Sequence, residues 1–385
     1  MKTSYLLIVL MAFFGLAKGN DSLSITSPAT RIVYQRNLYN KAIVKIKGNY
    51  PSGTTSVEAR LVARVKGQGI STRWVKIDRA PANGRYSGLI SATGGWYNLE
   101  VCAKAKNKKL ATVVLDRVGI GEVFIIAGHS VAQGGDINME GSTDDRVSLV
   151  ALDEKSETFD KFYLKTGDPK YLPDPVFAQA ASGIAPAPFG HNAYFWSKFA
   201  QKVAEKENVP VLIYNAAFGG TSLEHWSKSA HHIQFEHGFV RSNIRMPYIN
   251  VYNTLTKYIP LTGLRAILAD QGQNDAGQKS TDTIFNYYKI FIEKVREDLN
   301  FPELALVVNR QMPASAPQVR VAQERMAKEK YSFTGPDYDA GLIKEDKYDG
   351  IHLSAPGLPK AAQLWADALT PEFFRHARPW LPAFK

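Results

Sequence analysis

Between residues 41 and 103 apolar and polar positions alternate in short runs. "KAIVKIKG" (41–48), "VEARLVARV" (57–65), "RWVKID" (73–78) and "WYNLEVCA" (96–103) are separated by "NYPSG", "APANG" and "ATGG". A period of two between clusters of glycine, proline and asparagine predicts short strands, and their spacing predicts an all-β sandwich-like domain over 20–116. From residue 117 the pattern changes. Near-continuous apolar runs now alternate with segments of helical period. Strands are predicted at "VFIIAG" (123–128), 209–217, 264–270 and 303–309. Helices are predicted near 191–206, 246–258, 280–299, 315–329 and 355–369. Alternating strand and helix predicts an α/β domain over 117–385, with a parallel sheet between helical layers. The long, loop-rich stretch 136–190 interrupts this pattern, as functional insertions often do.

In such a sheet ligands bind outside the carboxyl ends of the strands. Four polar segments lie at or near such ends: "GHS" (128–130), "FGGTSLEHW" (218–226), "QGQND" (271–275) and "DGIHL" (349–353). The last is the most informative. Acyl transfer by serine needs a base beside the hydroxyl and a carboxylate that fixes the base's tautomer. Asp349 and His352, three residues apart, let one turn supply both, with Ser130 as the nucleophile. Gly219 and Gly220 serve either a tight turn or a backbone N–H offered to an oxyanion. Gln271 beside a serine nucleophile offers a further amide donor. "GHSVA" also approximates the Gly-x-Ser-x-Gly elbow. That elbow normally follows several strand–helix units and keeps its acid and histidine on separate loops, so it fits less well.

The four blocks, in this order and spacing over 118–370, resemble the SGNH (GDSL-type) hydrolases, and within them the branch of sialate O-acetylesterases and plant acetyl-xylan-esterase-like proteins. The resemblance implies a flavodoxin-like three-layer α/β/α domain, here behind a β-rich one. It implies a triad of Ser130, His352 and Asp349, and an oxyanion hole made of the Ser130 and Gly219 N–H groups and the Gln271 side chain. His129, Gln273, Glu224 and Trp226 are the expected substrate contacts. The chain departs from the branch at His129 (usually Gln), Val131 (usually Asn) and Gln273 (usually Glu). The implied activity is removal of O-acetyl groups from a carbohydrate, either sialic acid or an acetylated polysaccharide, with no cofactor. A second reading, prompted by those three departures, is a non-catalytic glycan-binding protein on the same fold.

Composition adds limits. Apolar residues make up 45% and charged residues 22% of the 385, as in an ordinary globular protein. "MKTSYLLIVLMAFFGLAKGN" reads as a secretory signal over 1–19, with Lys2 before an apolar stretch too short to span a bilayer and small residues for cleavage. A secreted or periplasmic protein without membrane association is expected after its removal. The formal net charge is +11, but lysines are dispersed and lack the arginine–aromatic interleaving of nucleic-acid binders, so no nucleic-acid partner is expected. Cys102 is the single cysteine, which excludes an intramolecular disulfide, and it is expected to be buried and inert. His225, His231, His232 and His237 fall close together, but their spacing matches no zinc motif and no metal is expected. Trp196 is expected in the core of its helix.

Overall fold

Alternation along the early strands becomes burial on one face. In β3 (Lys41–Asn49) Ala42, Val44, Ile46 and Gly48 point inward while Lys41, Ile43 and Lys47 are exposed. β3 pairs antiparallel with β1 (Ser24–Ser27) on one side and β6 (Arg85–Thr93) on the other. A second layer places β4 (Ser56–Ala63) between β5 (Val75–Asp78) and β7 (Gly95–Ala105), all antiparallel. This computed structural model describes residues 22–383 except Asn107, Asp136, Asn138, Ala314 and Ser315. The leader expected over residues 1–19 lies outside the described residues.

The strand that organises the molecule is β8 (Lys108–Gly128), 21 residues long. Its first half pairs antiparallel with β7, and the short β2 (Val33–Gln35) runs parallel to its middle. Its second half, from Val118 onward, is buried. There it runs parallel between β12 (Val211–Asn215) and β13 (Ala266–Asp270). The sheet extends through β14 (Ala305–Arg310) and β15 (Ser332–Asp337) on one side, and through β9 (Val147–Leu152) and the antiparallel edge strand β10 (Phe177–Gln179) on the other. A two-residue strand, β11 (Ala185–Pro186), also pairs with β9. The expected boundary at 116/117 falls inside β8, which is continuous across it.

Helices cover both faces of the parallel strands, so β8 reads as an unbroken apolar run here. Even-numbered Phe124 and Ile126 share a core with Phe199 and Trp365, from α3 (Tyr194–Glu207) and α10 (Gly357–Ala368). Odd-numbered Val123, Ile125 and Ala127 share the other with Trp226, Phe291 and Ala322. Those three come from α4 (Leu223–Ala230), α7 (Thr281–Asp298) and α8 (Pro317–Met326). The smaller helices are α1 (Ser130–Gln133), α2 (Glu157–Asp160), α5 (Tyr248–Asn253), α6 (Ile259–Thr262), α9 (Tyr338–Gly341) and α11 (Pro371–His376). The segment expected as one helix over 246–258 comprises α5 and a π-helical turn that leads into α6. No helix among the described residues is long and apolar enough to cross a membrane.

One charged cluster lies inside this apolar frame. Glu122 of β8 is fully buried and accepts from Arg36 Nε (2.6 Å), Arg265 Nε (2.7 Å) and Gln35 Nε2 (2.9 Å). Burial alone would raise its carboxyl pKa, but the Arg265 and Arg36 charges overcome this and hold it below the usual range. Arg265 also donates to the carbonyls of Ala377 and Arg36, tying β8 to the chain beyond α11 and to the segment after β2. Removing one member of such a set leaves its partners charged, buried and unpaired. Glu122→Ala is therefore expected to cost ~3–5 kcal/mol of stability. Urea unfolding midpoints of the variant and parent check this.

Candidate active site

β8 delivers its last residues to the carboxyl edge of the sheet between two parallel neighbours. Gly128 ends it at φ 146°, and a Cβ there would lie 2.0 Å from the Asp270 carbonyl oxygen, so only glycine fits. The chain then turns into α1. His129 caps it, Nδ1 accepting the Val131 N–H, and Ser130 is its first residue. The other end of α1 is pinned at the Ala132 carbonyl, which accepts from Trp196 Nε1 (2.7 Å) and Asn215 Nδ2 (2.8 Å). Trp196 thus serves the site from the core, where it was expected.

His352 approaches from the loop before α10. Its Nε2 lies 2.7 Å from Ser130 Oγ, and its Nδ1 lies 2.6 Å from Asp349 Oδ2. Asp349 Oδ1 accepts the backbone N–H groups of Ile351 and His352. Desolvation pushes the Asp349 carboxyl pKa up, but the His352 ring and these N–H groups outweigh it and hold the carboxyl at about 2. The loop is closed on itself by an antiparallel bridge between Lys347 and Leu353 and by the Tyr348 N–H donating to the His352 carbonyl. The Tyr348 ring stacks on the imidazole at 5.7 Å and 18°. Below it, buried Asp346 pairs with Lys360 of α10 at 2.8 Å. The spacing of the Asp349–His352 block thus brings acid and base together on one turn.

Ser130 and His352 open onto a cleft of about 470 Å³. Gly219, Gly220, Gln133 and Asn274 line it, together with an aromatic wall of Phe159, Tyr163, Phe189, Phe218 and Phe239. Part of that wall comes from the 136–190 stretch. Gly219 stands against Ser130, since a Cβ on it would lie 3.3 Å from the serine Cβ. Its N–H donates to Gln133 Oε1 at 2.7 Å.

The structure corrects several expected positions. Gln271 does not line the cleft: it is buried, and its Nε2 donates to the Thr221 carbonyl (2.9 Å) and Asp275 Oδ2 (3.0 Å). Asn274 is the amide that reaches the cleft, held by a bond to the same Thr221 carbonyl at 3.1 Å. The reason is local. Gln271 continues directly from β13, still in the sheet layer, and the turn at Gly272 (φ 145°) brings Asn274 to the surface while Asp275 stays buried. An amide two residues beyond the glycine was the available signal.

None of the four expected substrate contacts lines the cleft. His129 is fully buried beneath the serine, 3.2 Å from the Gln311 amide, and burial together with the charge of His352 brings its pKa down to about 3, so it stays neutral. Trp226 is core, donating to Thr221 Oγ1 and meeting Phe291 edge-on. Glu224 pairs with Lys228 along its helix. Gln273 begins a 3₁₀ turn to one side. The departures at 129 and 131 therefore fall in the support of the serine, where Val131 is also buried.

Among the clustered histidines, His225 caps α4 by accepting the Ser222 N–H, and His237 stands edge-on to Phe239. No group of three metal-binding side chains occurs among the described residues. Cys102 is buried.

A serine, an imidazole and a carboxylate in hydrogen-bonded series are the arrangement that acyl transfer by serine requires, and the class of this protein, the carboxylic ester hydrolases, follows from its family. Residues 121–370 match the family described as carbohydrate esterase, sialic acid-specific acetylesterase, and the chain belongs to that family. Among solved structures it is similar to a carbohydrate acetylesterase from Xanthomonas citri, at 16% identity over 92% of this chain and 75% of that one, with a TM-score of 0.50. It is also similar to a protein from Arabidopsis thaliana, at 17% identity over 66% of this chain and 98% of that one, with a TM-score of 0.44. At these identities the likeness is one of fold. No curated protein sequence matches the chain.

Gln271 anchors a polar network under Ser130. Its N–H donates to Asn309 Oδ1, and its carbonyl accepts from Tyr288 and Gln323, the latter also bonded to the Gln311 backbone. Burial pushes its partner Asp275 up to about 7. Truncating Gln271 strips partners from buried acceptors, so Gln271→Ala is expected to lose ~1–3 kcal/mol of stability. Its melting temperature should fall, while kcat at a temperature where it is folded changes by less than that of an Asn274 variant.

Proposed function

We propose that the protein is an exported serine esterase that removes O-acetyl groups from a carbohydrate. The observation that carries this is the unbroken series Ser130 Oγ–His352 Nε2–Nδ1–Asp349, with bonds of 2.7 and 2.6 Å. Ser130 Oγ attacks the acetyl carbonyl while His352 Nε2 takes its proton. Asp349, ionised and bonded to Nδ1, fixes the tautomer that can accept at Nε2 and stabilises the imidazolium. The carbonyl oxygen becomes an oxyanion held by the Ser130 N–H and the Asn274 amide, the latter in the role expected of Gln271. The Gly219 N–H joins them when the Gln133 oxygen turns aside. Collapse breaks the bond to the sugar oxygen, which takes the proton from His352. Water, deprotonated by the same imidazole, then attacks the acetyl-serine; the C–Oγ bond breaks, acetate leaves, and His352 returns the proton to Ser130 Oγ. Residues 1–19 act as the export leader, and no cofactor takes part in these steps.

Family membership supports acetyl ester chemistry on a carbohydrate, and the intact relay weighs against the glycan-binding reading. Ser130→Ala is expected to abolish hydrolysis of an aryl acetate and leave the melting temperature unchanged, because Ser130 is only partly buried and its hydroxyl bonds His352. Turnover near the parent's would sink the proposal. Asn274→Ala is expected to lower kcat by ~10²–10³ with little change in KM, since a donor to a developing charge acts chiefly in the transition state. Steady-state kinetics on an aryl acetate provide the check, and an unchanged kcat would remove Asn274 from the oxyanion site.

A further inference from the structure

The chain carries 47 Lys and Arg residues, yet none is among the described residues lining the cleft. Two carboxylates are bonded to lining histidines: Asp349 to His352, and Glu154 to His191 Nδ1 at 2.5 Å. Arg241 is a cation whose charge is felt at the aromatic wall. It is exposed on the segment after Phe239 and opposes only in part the burial that raises the Tyr163 hydroxyl pKa. A bound carboxylate needs a charge-matched donor in the site, and the fork of an arginine is the usual one. This cleft offers its ligands aromatic faces, amides and N–H groups instead.

The wall has one open face. Phe189 stacks on Phe218 (4.7 Å, 19°), and Phe218 on Phe239 (6.2 Å, 12°). The first two rings are buried, whereas Phe239 stays about half exposed. His237 stands edge-on to it at 4.6 Å, and Tyr163 Oη donates to its carbonyl at 3.2 Å. The ring tip rests on Gly220, where a Cβ would come within 2.6 Å and φ is +73°. Phe239 is thus a held platform beside the serine, with one side backed and the other facing the cleft.

We infer that the substrate is an uncharged acetylated sugar laid on the Phe239 ring, not a sugar bearing a carboxylate. This rests on Ser130 being the nucleophile. The flat, apolar side of a neutral sugar ring suits an aromatic face, and its hydroxyls suit the amides at the other edge. An anionic sugar would bring its charge towards Glu154 and Asp349, with no Lys or Arg among the described residues lining the cleft to receive it.

The test uses the full chain, with an aryl acetate as the measure of the catalytic groups themselves. The substrates are an acetylated xylo-oligosaccharide, an O-acetylated sialic acid glycoside and the carboxylate methyl ester of that glycoside. Removing the charge by esterification is expected to raise kcat/KM by about tenfold at low salt, the gain shrinking as salt is added. Phe239→Ala is expected to raise KM for the xylo-oligosaccharide by about tenfold, the loss of roughly one ring face of apolar contact, while kcat holds, and Phe239→Trp should restore it. Hydrolysis of the free acid as fast as its methyl ester overturns the inference, most directly if Arg241→Ala abolishes it. So does an octanoyl ester cleaved faster than an acetyl ester, which would make the wall an acyl pocket. An unchanged KM in Phe239→Ala removes the platform. If the parent fails on the aryl acetate as well, the nucleophile reading falls, and the inference with it.

Discussion

A carboxylate in the second half of β8 binds the parts of this molecule to one another. Glu122 sits where the strand leaves its antiparallel partner and enters the parallel sheet, and its charge is met by guanidinium groups from two distant segments. Those segments flank β2 and β13, the neighbours of β8 on either side of the transition. A strand with apolar residues on both faces has little to define its register, because sliding it exchanges one set of buried side chains for another. A buried ion set admits one register only. Six residues on, that register determines where Gly128 turns and where Ser130 emerges.

Beneath the serine, the buried polar groups continue the same logic. His129, Gln311, Gln323, Gln271 and Asp275 connect the start of α1 to the ends of β13 and β14 and to α8. Asp270 adds a second branch, accepting from Asn309 and from Tyr338, whose oxygen in turn meets Trp365 of α10. Burial raises the Asp270 carboxyl to about 7, against the pull of its hydrogen bonds. Apolar packing can bring strands together at the right distance; it cannot aim a hydroxyl. Directional bonds between side chains of several strands supply the aim.

How much could be read from the sequence follows from how local each feature is. The parallel strands were legible in "VFIIAG" and "LRAILAD", because burial on both faces leaves a run with almost no polar residue. The Asp349–His352 pair was legible because three residues of spacing close one turn whatever the surroundings. β9 and β15 were not marked: "VSLVAL" lies at the start of a loop-rich stretch, and "SFTGPD" carries glycine and proline that argue against a strand. The amide of "QGQND" that lines the cleft lies three residues beyond Gln271, because Gln271 continues from the strand in the sheet layer and the chain turns at Gly272. Glu224 and Trp226 lie on α4 with their side chains engaged by Lys228 and the core, His129 is buried in the extended residue that caps α1, and Gln273 opens a 3₁₀ turn, so membership of a block did not place any of them in the cleft. The aromatic wall was invisible because its rings come from 159 to 239 and meet only through the fold.

The closed loop that carries Asp349 and His352 gives the two halves of the relay different mechanical histories. Acid and base are held by bonds within a few residues of each other, with a second tether to α10 through Asp346. The hydroxyl they serve depends on a sheet assembled from the whole length of the chain. Gentle loosening of the sheet would separate the Ser130 hydroxyl from an imidazole–carboxylate pair that remains correctly formed. Inactivation on warming would then begin as a loss of alignment between two intact pieces, and it would reverse on cooling for as long as the sheet itself survives.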